Sequence, residues 1–185
     1  MGAKRKEIVR KILAARDFNS LEEWVKDSRN PLRLLFSHTY DSDTLIRYRA
    51  IEAIGRTAAF IATDNLEKVR IFVRGLIWLM TEESGGIGWH APEAIAEICV
   101  QVPVLFDEYA KLLPQFLEEE SFVPSTCAAL YRIAPMSPKI IRDHVPELII
   151  LTKDEERFQT YDFDTGNLME TTIGRLAGQM VKSGD

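Results

Sequence analysis

The chain predicts an all-α fold, an α-α superhelix of stacked helical pairs, broken once by a short β-hairpin or extended loop over 157–171. Three observations carry this reading. The run from Arg47 to Ile54 returns between Gly88 and Ile95, with Ala50, Glu52, Ala53 and Ile54 matched by Ala91, Glu93, Ala94 and Ile95 at a constant offset of 41 residues. A weaker copy follows at an offset of 35, where Ala129, Leu130 and Ile133 stand for Ala94, Ile95 and Ile98. Units of about 35–47 residues that read as helix mark stacked helical pairs, because one pair cannot bury its apolar faces alone. Outside 157–171 no segment alternates apolar and polar residues as a half-buried strand does.

The elements follow in order. Residues 4–15 carry Ile8, Val9, Ile12 and Leu13 at helical spacing among basic residues, the pattern of a surface helix with one apolar stripe. Ser20 with Glu23 has the spacing of a capping box ahead of Leu21, Trp24 and Val25. Asn30 followed by Pro31 opens a short helix to about His38. Asp43 caps a helix to about Ala62, and Asp64 caps a second to about Glu82. That second helix carries one stripe of Leu66, Val69, Val73, Leu76 and Met80, with Ile71 and Trp78 around Arg74 on the opposite side, so burial on several faces is expected. The next pair spans 90–101 and 103–119, with a kink or split at Pro114. A third pair covers 123–134 and 138–151, with Pro138 and Pro146 at helix starts. Phe158, Thr160, Tyr161 and Phe163 favour strand, and the run from Asp164 to Asn167 is a turn sequence. Ile173, Leu176, Ala177 and Met180 give a last amphipathic helix. The whole reads as a single domain over 1–185: capping helices over 1–42, repeats over 43–151, and a hairpin or loop with a capping helix over 152–185.

Composition narrows the function classes. Of the residues, 46% are hydrophobic and 28% charged, as in a globular protein rather than a disordered one. A net charge of −5 disfavours a strong phosphate-backbone binder, so no nucleic-acid partner is expected. No apolar run approaches the ~18 residues of a membrane span, and the N-terminal Lys4, Arg5 and Lys6 lead into no apolar segment. No membrane partner and a cytoplasmic location are therefore expected. Cys99 and Cys127 fall on apolar helical faces and read as buried thiols.

The Ala50–Gly55 run and its echo at 91–96 resemble HEAT-like repeats of the phycocyanobilin-lyase type. The stretch from Ser84 to Glu93, with its Gly-Gly-Ile-Gly-Trp turn, is similar to a turn in a group of short bacterial HEAT-repeat proteins. The stretch from Phe116 to Glu120, the helix through Ala128–Leu130 and the run from Thr171 to Ala177 follow in the order of that group. The resemblance covers roughly 43–182. It implies an α-α superhelix and macromolecular recognition, and it supplies no catalytic residues.

Gly85, Gly86 and Gly88 free the backbone ahead of a helix, which suits either an anion site or a structural turn between repeats; the turn, with Trp89 plugging the interface, fits better. Glu93 suits support of the helix dipole or loop N–H groups. His38, His90 and His144 have no His or Cys at metal-ligand spacing, so no metal site is expected. The run from Asp162 to Gly166 begins like a calcium loop, but Gly166 and Ile173 fall out of register, leaving a capped turn. Ile71, Arg74 and Trp78 suit inter-repeat packing, or else a groove. With Trp89, His90 and Glu93 they form the candidate binding surface.

Without a nucleophile motif, a phosphate loop or a dinucleotide fingerprint, no catalytic residue and no cofactor are expected. The favoured reading is a non-enzymatic module that binds a protein or peptide. Its alternative is a HEAT-like enzyme, either a tetrapyrrole-protein lyase or its subunit, or less readily a DNA base-excision enzyme.

Overall fold

A computed structural model describes residues 2–81 and 88–184. Over the described residues the protein is mostly helical, with one two-stranded antiparallel hairpin. Helix α1 (Gly2–Ala15) buries Val9 and Leu13. It ends in a Schellman arrangement: the Arg16 N–H bonds to the Leu13 carbonyl at 3.0 Å and the Asp17 N–H to the Ile12 carbonyl at 3.1 Å, with Arg16 left-handed at φ 51. Helix α2 (Phe18–Lys26) is capped one turn earlier than Ser20 and Glu23 suggest. Asp17 accepts from the Ser20 N–H at 3.1 Å and the Ser20 hydroxyl at 2.6 Å, because its carboxylate is the stronger acceptor for the first free N–H groups. Helix α3 (Pro31–Phe36) runs into a single 3-10 turn ending at Tyr40.

Helix α4 (Thr44–Thr81) joins both expected helices of the first pair across a kink. Asp43 caps its start, accepting from the Leu45 N–H at 2.9 Å. Asn65, at φ −152 and ψ 83, breaks it, and its side chain accepts from the Lys68 N–H at 3.0 Å. The second cap is therefore Asn65, one residue beyond Asp64. The first half of α4 is the enclosed one, with Ala50 to Gly55 all buried, Glu52 included. The second half buries a single stripe of Val69, Val73, Leu76 and Met80. Its Ile71 and Trp78 are 60% and 58% exposed, so this segment is not buried on several sides.

Helix α5 (Ala91–Gln101) packs between α4 and helix α7 (Val123–Ile133), and every residue from Ala91 to Cys99 is buried. Gly55 permits the close approach of α4, since a Cβ there would lie 2.6 Å from Cγ of Glu97. The segment expected as a helix over 103–119 with a kink or split at Pro114 is instead a chain of 3-10 turns with the one-turn helix α6 (Phe106–Tyr109). Pro114 has no N–H to give and its ring opposes the carbonyl four residues back, so continuous helix fails there. Helices α8 (Pro138–Asp143) and α9 (Val145–Leu151) divide at His144, because Pro146 cannot bond back to the preceding turn.

Strands β1 (Arg157–Asp162) and β2 (Asn167–Thr172) pair with Thr160 opposite Met169 and Tyr161 opposite Leu168. Asp162 closes the turn by accepting from the N–H groups of Asp164 (2.9 Å) and Thr165 (3.2 Å), while Gly166 takes φ +76. Tyr161 packs on Tyr48 and Ile51, which docks the hairpin on the first half of α4. Helix α10 (Ile173–Gly184) follows at once, capped by the Thr172 hydroxyl accepting from the Arg175 N–H at 3.1 Å, and packs on α7, α8 and α9. Cys99 and Cys127 are both fully buried free thiols.

Candidate functional site

The sequence echo also relates the polar groups of the buried helices. Equivalent positions on α4, α5 and α7 hold Glu52, Glu93 and Ala128, and one turn further on Arg56, Glu97 and Arg132. All three glutamates are buried. A buried carboxylate is costly unless paired and hydrogen-bonded, so its partners define its role.

Glu52 is amply served. Arg16 donates to both its oxygens at 3.0 and 2.9 Å, Arg56 reaches Oε1 at 3.4 Å, and the Tyr161 hydroxyl donates to Oε2 at 2.8 Å. Glu97 accepts from Arg132 Nε at 2.7 Å and Gln101 Nε2 at 2.8 Å. Burial still holds its carboxyl above the usual range, against the pull of Arg132 and Gln101.

Glu93 differs. It is 6% exposed, and its bonds come from His90 Nδ1 at 2.5 Å and the Ser125 hydroxyl at 3.0 Å, both on Oε2. Among the described residues no lysine or arginine contacts Glu93. The Tyr48 hydroxyl lies close by; burial first, then the Glu93 charge, holds it protonated far above the ordinary phenol range. That hydroxyl donates to the Gln159 carbonyl of β1, and its ring stacks on Tyr161 at a centroid distance of 5.9 Å and 3° between planes.

Two cavities meet at this wall, and Tyr48 and Glu93 line both. The larger, of about 730 Å³, runs between α7, the hairpin and α10. Ala128, at the sequence offset that holds Glu52 and Glu93 earlier in the chain, forms part of its floor. Tyr131, Tyr161, Phe163 and Met169 give it an aromatic and apolar lining, with Tyr131 and Met169 partly exposed. Arg132 lies over the Phe163 ring at 4.4 Å. The smaller cavity, of about 280 Å³, is bounded by Arg47, Trp89, His90 and Ser125.

The six residues of the expected binding surface divide in two. His90 and Glu93 are in contact, and Trp89 borders the smaller cavity beside them, 59% exposed, so it plugs no interface. Ile71, Arg74 and Trp78 line neither cavity and face outward from α4; Arg74 pairs with Glu67 there, and none of the three fills a joint between repeats. Gly85 and Gly86 lie outside the described residues. Gly88 is not left-handed; it serves close approach, since a Cβ there would sit 3.3 Å from both Leu79 and Ala91. Tyr48, Arg132 and the hairpin residues escaped sequence reasoning. The doublet of Tyr48 with Tyr161 spans more than a hundred residues and has no local signature.

Among the described residues no group of His, Cys, Asp and Glu side chains is placed to hold a metal ion, and no helix is long and apolar enough to cross a membrane. Comparison with known proteins finds similarity to an uncharacterized protein of Archaeoglobus fulgidus, 31% identical over 116 residues. The match takes in 60% of this chain and 56% of that relative, so the chain spans little more than half the relative's length. No protein-family model matches the chain, and no solved structure matches it.

Proposed function

We propose that the chain is a binding module of stacked HEAT-like repeats that receives a peptide or protein segment in the cavity between α7, the hairpin and α10. The repeat reading is supported by the order of packing, α4 on α5 and α5 on α7, together with the equivalent positions of Glu52, Glu93 and Ala128. The observation that carries the functional reading is the cavity itself. Its volume of about 730 Å³ falls within the roughly 300–1,000 Å³ of sites that enclose a ligand group. An apolar and aromatic lining with a few convergent polar groups suits anchoring of one side chain, and partly exposed Tyr131 and Met169 extend the contact surface around it.

Selection of peptides from a random displayed library on the full chain tests this. Selected peptides should lose binding to Met169→Lys, which alters an exposed lining position, and to Ala128→Leu, which fills the floor. They should bind Trp78→Ser, on the outward face of α4, unchanged. Peptides that lose binding only to Trp78→Ser would overturn the assignment.

A further inference from the structure

Resting on the reading of the larger cavity as a binding site, we propose that the group it takes is an organic cation, an alkylammonium or alkylguanidinium, met by the carboxylate of Glu93. The repeat supplies its own control. Glu52 and Glu93 occupy the same place in successive units, and each has a tyrosine hydroxyl beside it, yet Glu52 also has two arginines while Glu93 has an imidazole and a serine. An imidazole is a cation only when protonated. Glu93 is thus a carboxylate more than nine-tenths buried, in contact with no lysine or arginine among the described residues; the His90 and Ser125 bonds both end on Oε2, and the Tyr48 hydroxyl lies beside it. It lines the cavity at the point where the next unit carries Ala128 and leaves room.

The rest of the lining agrees in sign. Its charged members are Glu93, Asp162 and Asp164 against Arg132 alone, and Arg132 is already engaged by Glu97 at 2.7 Å. Asp162 is taken up by its turn, which leaves Glu93 as the buried anion facing the cavity. Tyr48, Tyr131 and Tyr161 place aromatic rings around the same space, and ring faces attract cations within about 6 Å. An anionic group would meet Glu93 and Asp164, and a purely apolar one would leave the Glu93 charge uncompensated.

The decisive experiment follows the Met169 methyl resonance of the full chain, labelled at methionine methyls and assigned with Met169→Leu. The probes are n-butylguanidinium, n-butylammonium, n-butanol and n-butyrate, with acetyl-Ala-Arg-Ala-amide and acetyl-Ala-Lys-Ala-amide as peptide sources of the same cations. The cations should shift Met169 saturably and bind about tenfold or more tighter than butanol, a difference of ~1.4 kcal/mol. Glu93→Gln should bring them to the level of butanol while the other methionine signals keep their positions. Butanol or butyrate binding as tightly as the cations overturns the cation assignment, yet leaves the cavity a binding site; this comparison needs no variant. Free cations that bind where the peptides do not would keep the cation and remove the peptide reading. Failure of every probe to move Met169 would overturn both.

Discussion

Arg16 places Nε and Nη2 on the two oxygens of Glu52, at 3.0 and 2.9 Å, from a backbone held left-handed at φ 51. Its Nη2 also donates to the Phe163 carbonyl at 2.7 Å, and its guanidinium covers Gly166 so closely that a Cβ there would lie 2.5 Å from Nη1. One side chain at the end of α1 thereby ties α4 to the hairpin that walls the larger cavity. The left-handed cost is borne because the same geometry ends α1 and aims the arginine inward.

Replacement of Arg16 by Met should therefore destabilise the fold by about 3 kcal/mol, the low end for orphaning a buried charge, since Arg56 and Tyr161 remain on Glu52. Arg16→Gly should recover about 1 kcal/mol of that by relieving the backbone. Urea melts of the two variants check the order. A Gly variant less stable than the Met variant would contradict the backbone part.

Two glycines of α4 should respond to alanine with opposite signs. At Gly75 nothing lies within 4 Å of an added Cβ, so Gly75→Ala should stabilise by about 0.5–1 kcal/mol through helix propensity. At Gly55 the Cβ would meet Glu97 Cγ at 2.6 Å and the Glu97 carbonyl at 3.1 Å, between two packed helices. Overpacking there should outweigh the same propensity gain and leave a net loss of about 1–2 kcal/mol. Paired thermal melts decide it, and equal effects at both sites would show that α4 and α5 are not in close contact.

Cys99 and Cys127 should resist iodoacetamide in the native state at pH 8 and react fully in denaturant, read by intact mass. Burial pushes both thiols up to about 12, with Asp154 adding to the effect at Cys127. The sign follows from linkage. With folded values above the ordinary 9.0, the thiols' contribution to stability is full below pH 9 and is lost as pH rises towards 12. Cys99→Ala with Cys127→Ala should flatten part of the alkaline decline in melting temperature.

The buried helical segments at Ala50–Gly55 and Ala91–Cys99 were legible because an offset of 41 residues preserves residue type at core positions, and core positions are dictated by packing. The hairpin was legible from its β-favouring residues and its turn sequence. The cap at Asp17 was missed because Ser20 with Glu23 offers a plausible cap three residues on, and both residues fit the same spacing rule. The outward face of Ile71 and Trp78 was missed because the apolar pattern of a helix does not say how many neighbours it has. The site was half legible: His90 and Glu93 lie three residues apart on one helix start, whereas Tyr48, Arg132 and Tyr161 meet them only through tertiary packing. Within the echo itself only the change of Arg56 to Glu97 and of Arg49 to His90 separates Glu52 from Glu93; the rest of their difference lies in partners brought by the end of α1, the hairpin and α7.

That difference yields the last prediction. Glu52→Gln and Glu93→Gln make the same chemical change at buried positions 41 residues apart in the sequence echo. At position 52 the amide leaves Arg16 and Arg56 facing a neutral group and offers Arg16 an N–H where it needs an acceptor. The loss should reach about 3 kcal/mol, as for a buried ion pair stripped of one partner. At position 93 no arginine or lysine among the described residues is orphaned, and the amide oxygen can still accept from Ser125 and His90. The change there should stay within about 1 kcal/mol, the net worth of an ordinary hydrogen bond. Urea denaturation of the two variants at neutral pH measures the gap directly. A loss at position 93 equal to that at position 52 would mean that Glu93 already has a full cationic partner within the chain, and the cavity would then have no unmet charge to offer a ligand.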